Sequence, residues 1–319
     1  MMLERKKSAK VDSMRMAQRK LLRKEIWLHR ELYLFLLPAF IALIVFSYGP
    51  MYGLVTAFQD VKFGSPYGMN EWVGLKHFKR FFDSAWFGRI IKNTVYICLL
   101  NNVLAWPFPI ILALLLHNSN NKVLKKLTQS FSYLPHLLST VLVISILNVF
   151  CSGDFGLINI LLTKLGMDKI SFFGEPDLVA PLFVISGVWQ NAGYGAIVYL
   201  GALSAVDEEL MEAARIDGAG KLKCIWHIQL PMIMPTVSTM LILNMGRVFA
   251  LGADKMILLQ TDLNISASEI ISTYVYKTGV MSSQYGFSSA VGLFQNVINI
   301  IMLLLVNWIS KKLLDNSLV

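Results

Sequence analysis

The sequence predicts an all-α integral membrane bundle of six transmembrane helices, with a two-helix protrusion on its cytoplasmic side. Three observations predict it: an apolar composition, apolar stretches of bilayer length, and basic residues crowded ahead of the first stretch. Of 319 residues, 55% are hydrophobic and 15% charged, with a mean hydropathy of +0.56, which is too apolar for a soluble globule of this length. Crossing about 30 Å of hydrocarbon takes roughly 20 apolar helical residues. Stretches of that size fall near 32–58, 90–116, 131–151, 179–203, 236–260 and 286–310.

The net charge of +9 could point to nucleic acid, so the placement of the charges decides. Ten of the 29 Lys and Arg lie between Arg5 and Arg30, ahead of the first apolar stretch, and the positive-inside rule then sets the N-terminus in the cytoplasm. Nucleic acid is therefore not expected as a partner. Alternation of the spans keeps Lys122, Lys125 and Lys126, then Arg215, Lys221 and Lys223, then Lys311 and Lys312 inside, with the C-terminus. Lys62, Lys76, Lys79 and Arg80 break the rule in the first outer segment, where Asp60, Glu71 and Asp83 accompany them.

Taken in order, residues 1–31 form a basic tail; its end, with Leu21, Leu22, Ile26 and Trp27, reads equally as an interfacial amphipathic helix or a solvated topogenic tail. The first apolar stretch is too long for a cleavable signal. Residues 32–310 form the membrane domain, with a core of about 87–310, and 311–319 a short cytoplasmic tail. The outer segment 59–88 carries Trp72, Phe78, Phe81, Phe82 and Trp86, an aromatic set expected to pack over the mouth of the bundle. A second outer segment covers 152–178. Cys98, Cys151 and Cys224 are odd in number and widely spaced, so they read as packing residues rather than a disulfide framework or zinc site.

The cytoplasmic stretch 204–235 reads SAVDEELMEAARIDGAGKLKCIWHIQLPMIMP. Ser204 or Asp207 can cap a first helix whose opening turn holds Asp207, Glu208 and Glu209, where carboxylates suit the helix dipole. Gly218 and Gly220 can end it with left-handed dihedrals. A second helix is expected from about Lys221 to Leu230, with the chain redirected at Pro231, which lacks an amide hydrogen.

Glu212-Ala213-Ala214, three residues, Gly218, nine residues, Ile228, one residue, Leu230-Pro231 resembles, without gaps, the coupling loop of ABC importer permeases. The resemblance implies the type I importer permease fold. It also implies that Glu212, Ala213, Ala214, Asp217, Gly218, Ile228, Leu230 and Pro231 form the element that meets an ATPase subunit. Small Ala213 and Ala214 suit close docking, Glu212 suits a basic group on the partner, and Gly218 suits a turn that a side chain would obstruct.

Other stretches narrow the resemblance. Trp72-Val73-Gly74-Leu75, His77-Phe78 and Asn93-Thr94 resemble the larger subunit of maltose-type carbohydrate permeases. Tyr133-Leu134-Pro135-His136 with Gly156-Leu157-Ile158-Asn159, and Tyr274-Val275-Tyr276 with Ala290-Val291-Gly292-Leu293-Phe294, look like the branch that handles polysaccharide fragments and complex oligosaccharides. Leu258-Leu259-Gln260-Thr261-Asp262 stands where soluble-sugar members often carry Gly-Gly-Pro. The implied partners are a second, shorter permease forming a heterodimer, two ATP-binding subunits, and a lipid-anchored solute-binding protein outside a bacterial cytoplasmic membrane. ATP and magnesium then belong to the partners, and this chain is expected to bind no cofactor or metal and to catalyse nothing.

Sugars are held by planar hydrogen-bonding side chains beside aromatic faces. Trp189, Gln190, Asn191 and Tyr194 offer such a set in the fourth stretch, and Gly193 and Gly195 could admit a neighbouring backbone. Trp189 is one residue off the helical spacing that would bring it beside Tyr194, so the four cannot share one face; interfacial aromatic belts use the same residue types. Arg247 lies deep in the fifth stretch, where a charge costs about 3 kcal/mol unless it faces water or a partner, so it should face the bundle interior, either pairing with a second subunit, the reading slightly favoured, or touching an acidic sugar; Asn244 could share its surface. The chain has no GxxxxGKS/T phosphate loop, no HExxH motif and no nucleophile elbow. The alternative reading, a secondary transporter driven by an ion gradient, calls for intramembrane carboxylates, and the stretches hold only Asp254, near an end.

Overall fold

The computed structural model describes residues 24, 25, 27–62, 64, 70–250 and 252–314, so most of the basic tail and the last five residues lie outside the described residues. The chain divides into two compact units, Met1–Val55 and Thr56–Val319. In the first, α1 (Arg30–Leu43) runs on through a π-turn, Ile44–Tyr48, and Gly49–Met51. The π-turn precedes Pro50, whose ring would clash with a regular helical carbonyl. Leu34, Phe35, Phe40 and Phe46 stay exposed, the pattern of a helix solvated by lipid.

The second unit opens with a short antiparallel pair, β1 (Gln59–Asp60) and β2 (Glu71–Trp72), and then α2 (Lys76–Phe82). Residues 59–88, expected as an outer segment, pack in part as their aromatic content predicts: Phe81 is buried, while Trp72 and Phe82 are exposed. Trp72 stacks on Phe58 at 5.6 Å, and buried Phe81 lies edge-on to Phe87 and Phe294 at 5.1 and 5.6 Å. Trp86 remains exposed.

The bundle consists of α3 (Phe87–Ala105), α4 (Pro107–His117), α5 (Lys122–Tyr133), α6 (Thr140–Cys151), α7 (Leu157–Lys164), α8 (Val179–Leu203), α9 (Glu208–Ile216), α10 (Lys221–Cys224), α11 (Leu230–Met245), α12 (Ala253–Leu259), α13 (Ile271–Tyr276) and α14 (Tyr285–Leu314). Among the described residues four helices are long and apolar enough to cross a membrane: Arg30–Phe58, Phe87–His117, Lys221–Met245 and Tyr285–Lys312. A bent pair, Lys122–Leu137 with Thr140–Cys151, would make a fifth. Six spans are thus not reproduced by length and hydropathy, and the three differences have physical causes.

The expected span 131–151 falls on a pair of helices bent by 105°. Pro135 ends α5 in a 3-10 turn, and Ser139 restarts the chain by accepting the Leu142 amide at 3.3 Å. The 12 residues of α6 cover only about 18 Å at 1.5 Å per residue, short of the hydrocarbon thickness.

The expected span 179–203 forms as α8 with those same ends, but its polar middle takes it out of the apolar class. It is the central helix, packed along α3, α4, α5 and α11, so protein rather than lipid covers much of it. Gly193 permits the closest approach: an added Cβ would collide with the Ser132 backbone of α5.

The expected span 236–260 is displaced. The helix begins at Lys221, stays continuous past Pro231 because the π-turn Ile225–Gln229 absorbs the missing bond, and stops at Met245. In the break after Met245, side chains satisfy the backbone of Val248 and Phe249. Asn299 accepts the Phe249 amide, Gln295 donates to the Phe249 carbonyl, and the Cys98 thiol meets the Val248 carbonyl. The three cysteines are free and buried, as packing residues should be. Helix α14 continues to Leu314, past the expected boundary at 310.

Long-range hydrogen bonds mark two ends of this unit. Thr56 bonds Ser289 and Arg80 bonds Gln284 at one; Asn118 bonds Gln229 at the other.

Candidate functional site

The segment 204–235 folds as a capped hairpin. Asp207 is the N-cap of α9, accepting the Glu209 amide at 2.9 Å, while Ser204 instead bonds back to the Leu200 carbonyl of α8. At the other end Gly218 has φ +79°, with its amide on the Arg215 carbonyl and the Ala219 amide on Ala214. This pairing closes a helix through a left-handed residue. Gly220 does not share that conformation. Its φ is −70°, and it caps the start of α10.

The hairpin has an inner and an outer side. Ala214, Ile228 and Leu230 pack against a buried cluster that includes Met211, Cys224, Ile233 and Leu203. Glu212, Ala213, Asp217, Gly218 and Pro231 are exposed. Ala213 is exposed, whereas Ala214 is half-buried against that cluster. Large apolar side chains share the outer surface: Leu210, Ile216 (86% exposed), Leu222 and Trp226.

The second feature is a cavity of about 600 Å³ between α3, α4, α8 and the break after α11. Gln190, Asn191, Asn244 and Arg247 line it, together with Asn101, Asn102, Trp106, Asp254 and Lys255. Trp189 lies elsewhere, in an apolar pocket of about 310 Å³ with Val143, Leu147 and Phe150. Tyr194 also misses the cavity lining and stacks flat on His136, with ring centroids 4.0 Å apart. The 100° step per residue of a helix separates these side chains.

Polar groups around the cavity are partly engaged. Gln190 donates to the Leu138 carbonyl at 3.1 Å, and the Asn191 side-chain oxygen meets His136 Nδ1 at 3.0 Å. Arg247 sits in the turn that follows α11, where the partial negative charge of a helix C-terminus favours a cation. Among the described residues its guanidinium has no hydrogen-bond or ion-pair partner. Lys255 is 8% exposed; its Nζ donates to the Phe183 carbonyl at 2.9 Å and lies 4.8 Å over the Phe183 ring. Gly187 leaves the space for that ammonium.

Several of these residues escaped the sequence reading. Lys255, Asn101 and Asn102 were visible as polar residues inside apolar stretches, the same signal that picked out Arg247. The family-like pair Asn93-Thr94 holds the chain before α13: Asn93 donates to the Ser266 and Glu269 carbonyls, and Thr94 accepts the Ile271 amide. Glu269 is a buried carboxylate satisfied by Lys277 at 2.6 Å and by Thr273 and Gln260.

Residues 105–315 match the model of the binding-protein-dependent transport system inner membrane component family. The chain belongs to this family. It is 40% identical over 291 residues to protein LplB of Bacillus subtilis (strain 168), covering 91% of this chain and 90% of that one. It is 41% identical over 283 residues to the polygalacturonan/rhamnogalacturonan transport system permease protein YteP of the same organism, covering 89% and 88%. Among solved structures, a chain of a bacterial alginate ABC transporter in complex with an alginate pentasaccharide-bound periplasmic protein superposes with a TM-score of 0.84 at 32% identity. That match covers 92% of this chain and 99% of the other. The chain is thus a membrane-spanning transport permease, and its α8, the α5–α6 bend and the break after α11 belong to a permease fold.

Proposed function

We propose that this permease carries oligosaccharide fragments of acidic polysaccharides inward, in a complex whose ATP hydrolysis takes place on other subunits. The observation that carries the reading is the cavity: a guanidinium with no partner among the described residues and a buried ammonium, two cations against the one carboxylate of Asp254, set among carboxamides. Carboxamides read hydroxyls, and a guanidinium forks onto a carboxylate. The named cargoes of the relatives, polygalacturonan and alginate, support the same substrate class.

In this reading the chain pairs with a second, shorter permease, stands over two ATP-binding subunits, and receives its sugar from a lipid-anchored binding protein outside a bacterial cytoplasmic membrane. The N-terminus, hairpin and C-terminus are cytoplasmic. The basic residues Lys122, Lys125, Lys221 and Lys223 at the Asn118–Gln229 end support that orientation. The exposed apolar set Leu210, Ile216, Leu222 and Trp226, beside Glu212, supports docking of the hairpin on an ATPase subunit.

The test is reconstitution of the complex in proteoliposomes, with its binding protein presented with oligogalacturonate or with the methyl-esterified oligomer of equal length. ATP-dependent uptake favouring the acidic oligomer is expected. Arg247→Gln should reduce uptake of that oligomer about tenfold, the loss of roughly 1.4 kcal/mol, and uptake of the ester much less. Uptake driven by an ion gradient without ATP would overturn the reading.

A further inference from the structure

Gln229 is completely buried, 0% exposed, in a largely apolar cluster, yet it is a primary amide. Its hydrogen bonds are fully assigned. The Asn118 side chain donates to Gln229 Oε1 at 2.7 Å, and Gln229 Nε2 donates to Asn118 Oδ1 at 3.0 Å, closing a reciprocal amide pair. The second Asn118 hydrogen goes to the Leu114 carbonyl at 2.9 Å, and the second Gln229 hydrogen points to Met211 Sδ at 3.9 Å. Three elements therefore meet at one joint: the end of α4, the π-turn before α11, and α9 of the hairpin. The π-turn helps set the geometry, since one extra residue rotates what precedes it by about 100° relative to the helix that follows.

Adhesion alone does not require these amides. Ile110, Ala113, Leu203, Cys224 and Ile233 already supply an apolar interface at this end. A buried amide pair adds direction: its bonds hold in one register, and slippage leaves up to four polar groups without water. The joint also lies on a rigid route. Helix α4 runs back from Asn118 to Trp106, about 18 Å at 1.5 Å per residue, and Trp106, Asn102 and Asn101 line the cavity.

We propose that Asn118 and Gln229 are positioning residues that lock the hairpin to the second span, so that displacement of the hairpin moves the α3–α4 wall of the cavity. The proposal rests on the reading of the hairpin as the point where an ATPase subunit acts. It needs no contact of either amide with substrate or nucleotide. The pair converts a push on the exposed face of α9 into motion of the cavity wall, whereas an apolar joint would slide.

The test uses the full complex, with Asn101→Cys as a reporter in the cavity and labelling by a maleimide with and without ATP plus vanadate. ATP–vanadate should change the labelling rate at least fivefold in the parent. N118L/Q229L keeps an apolar joint and should keep assembly and basal ATPase within twofold, but lose the ATP-dependent change. N118Q/Q229N restores an amide pair and should recover part of it. Retention of the full change in N118L/Q229L overturns the proposal. Failure of the underlying reading has a separate signature: Glu212→Arg on the outer face, introduced alone, would leave the ATP-dependent change intact.

Discussion

Two glycines two residues apart in the hairpin should respond in opposite ways to the same substitution. Gly218 has φ +79°, and an added Cβ there meets nothing within 4 Å, so the cost of Gly218→Ser is purely conformational. A left-handed conformation costs an L-residue roughly 1–2 kcal/mol, which shifts the local equilibrium about five- to thirtyfold. Gly220, at φ −70° and ψ 163°, already has a conformation open to any residue and occupies an N-cap, where serine is preferred over glycine. Gly220→Ser should therefore be neutral or slightly stabilising. Hydrogen exchange at the Ala219 amide, bonded to the Ala214 carbonyl at 2.9 Å, reads the turn directly. Exchange should accelerate five- to thirtyfold in Gly218→Ser and stay at or below the parental rate in Gly220→Ser, with sugar import falling only in the former. Equal exchange rates in the two variants would refute the left-handed turn as the structural role of Gly218.

Two further outcomes follow from the packing of α8 and the cavity. Gly193→Leu should sharply lower the yield of folded protein by size-exclusion chromatography, because its Cβ meets the Ser132 backbone, whereas Gly201→Leu, with open space around it, should not; equal yields would contradict the close α5–α8 approach. Lys255→Met should raise the apparent melting temperature while reducing import, since it removes a buried charge that lacks a carboxylate partner among the described residues; a lower melting temperature would assign the lysine a structural role instead.

The first, second and sixth spans are legible because each is a long apolar helical stretch, and composition reports length well. The hairpin was readable because caps and turns are local: Asp207 and Gly218 act on amides within a few residues. The bend in the third span and the shifted ends of the fifth are not legible for a shared reason. Pro135 looks like any proline inside an apolar run, and whether it kinks a span or ends it depends on Ser139 and on what α8 presses against it. The break after Met245 is stabilised by Cys98, Gln295 and Asn299, each about 50 or more positions from the group it bonds.

The order of residues specified the solvent this chain belongs in, the basic flank before its first span, and the capped hairpin, since each depends on composition or on neighbours within a few positions. The polar positions were equally visible, but their destinations were not. Gln190 and Arg247 enter the cavity, Trp189 and Tyr194 turn elsewhere, and Asn118 finds Gln229 across 111 positions. Those outcomes come from helix rotation and from which helices stack on one another, properties that exist only once distant segments are packed together.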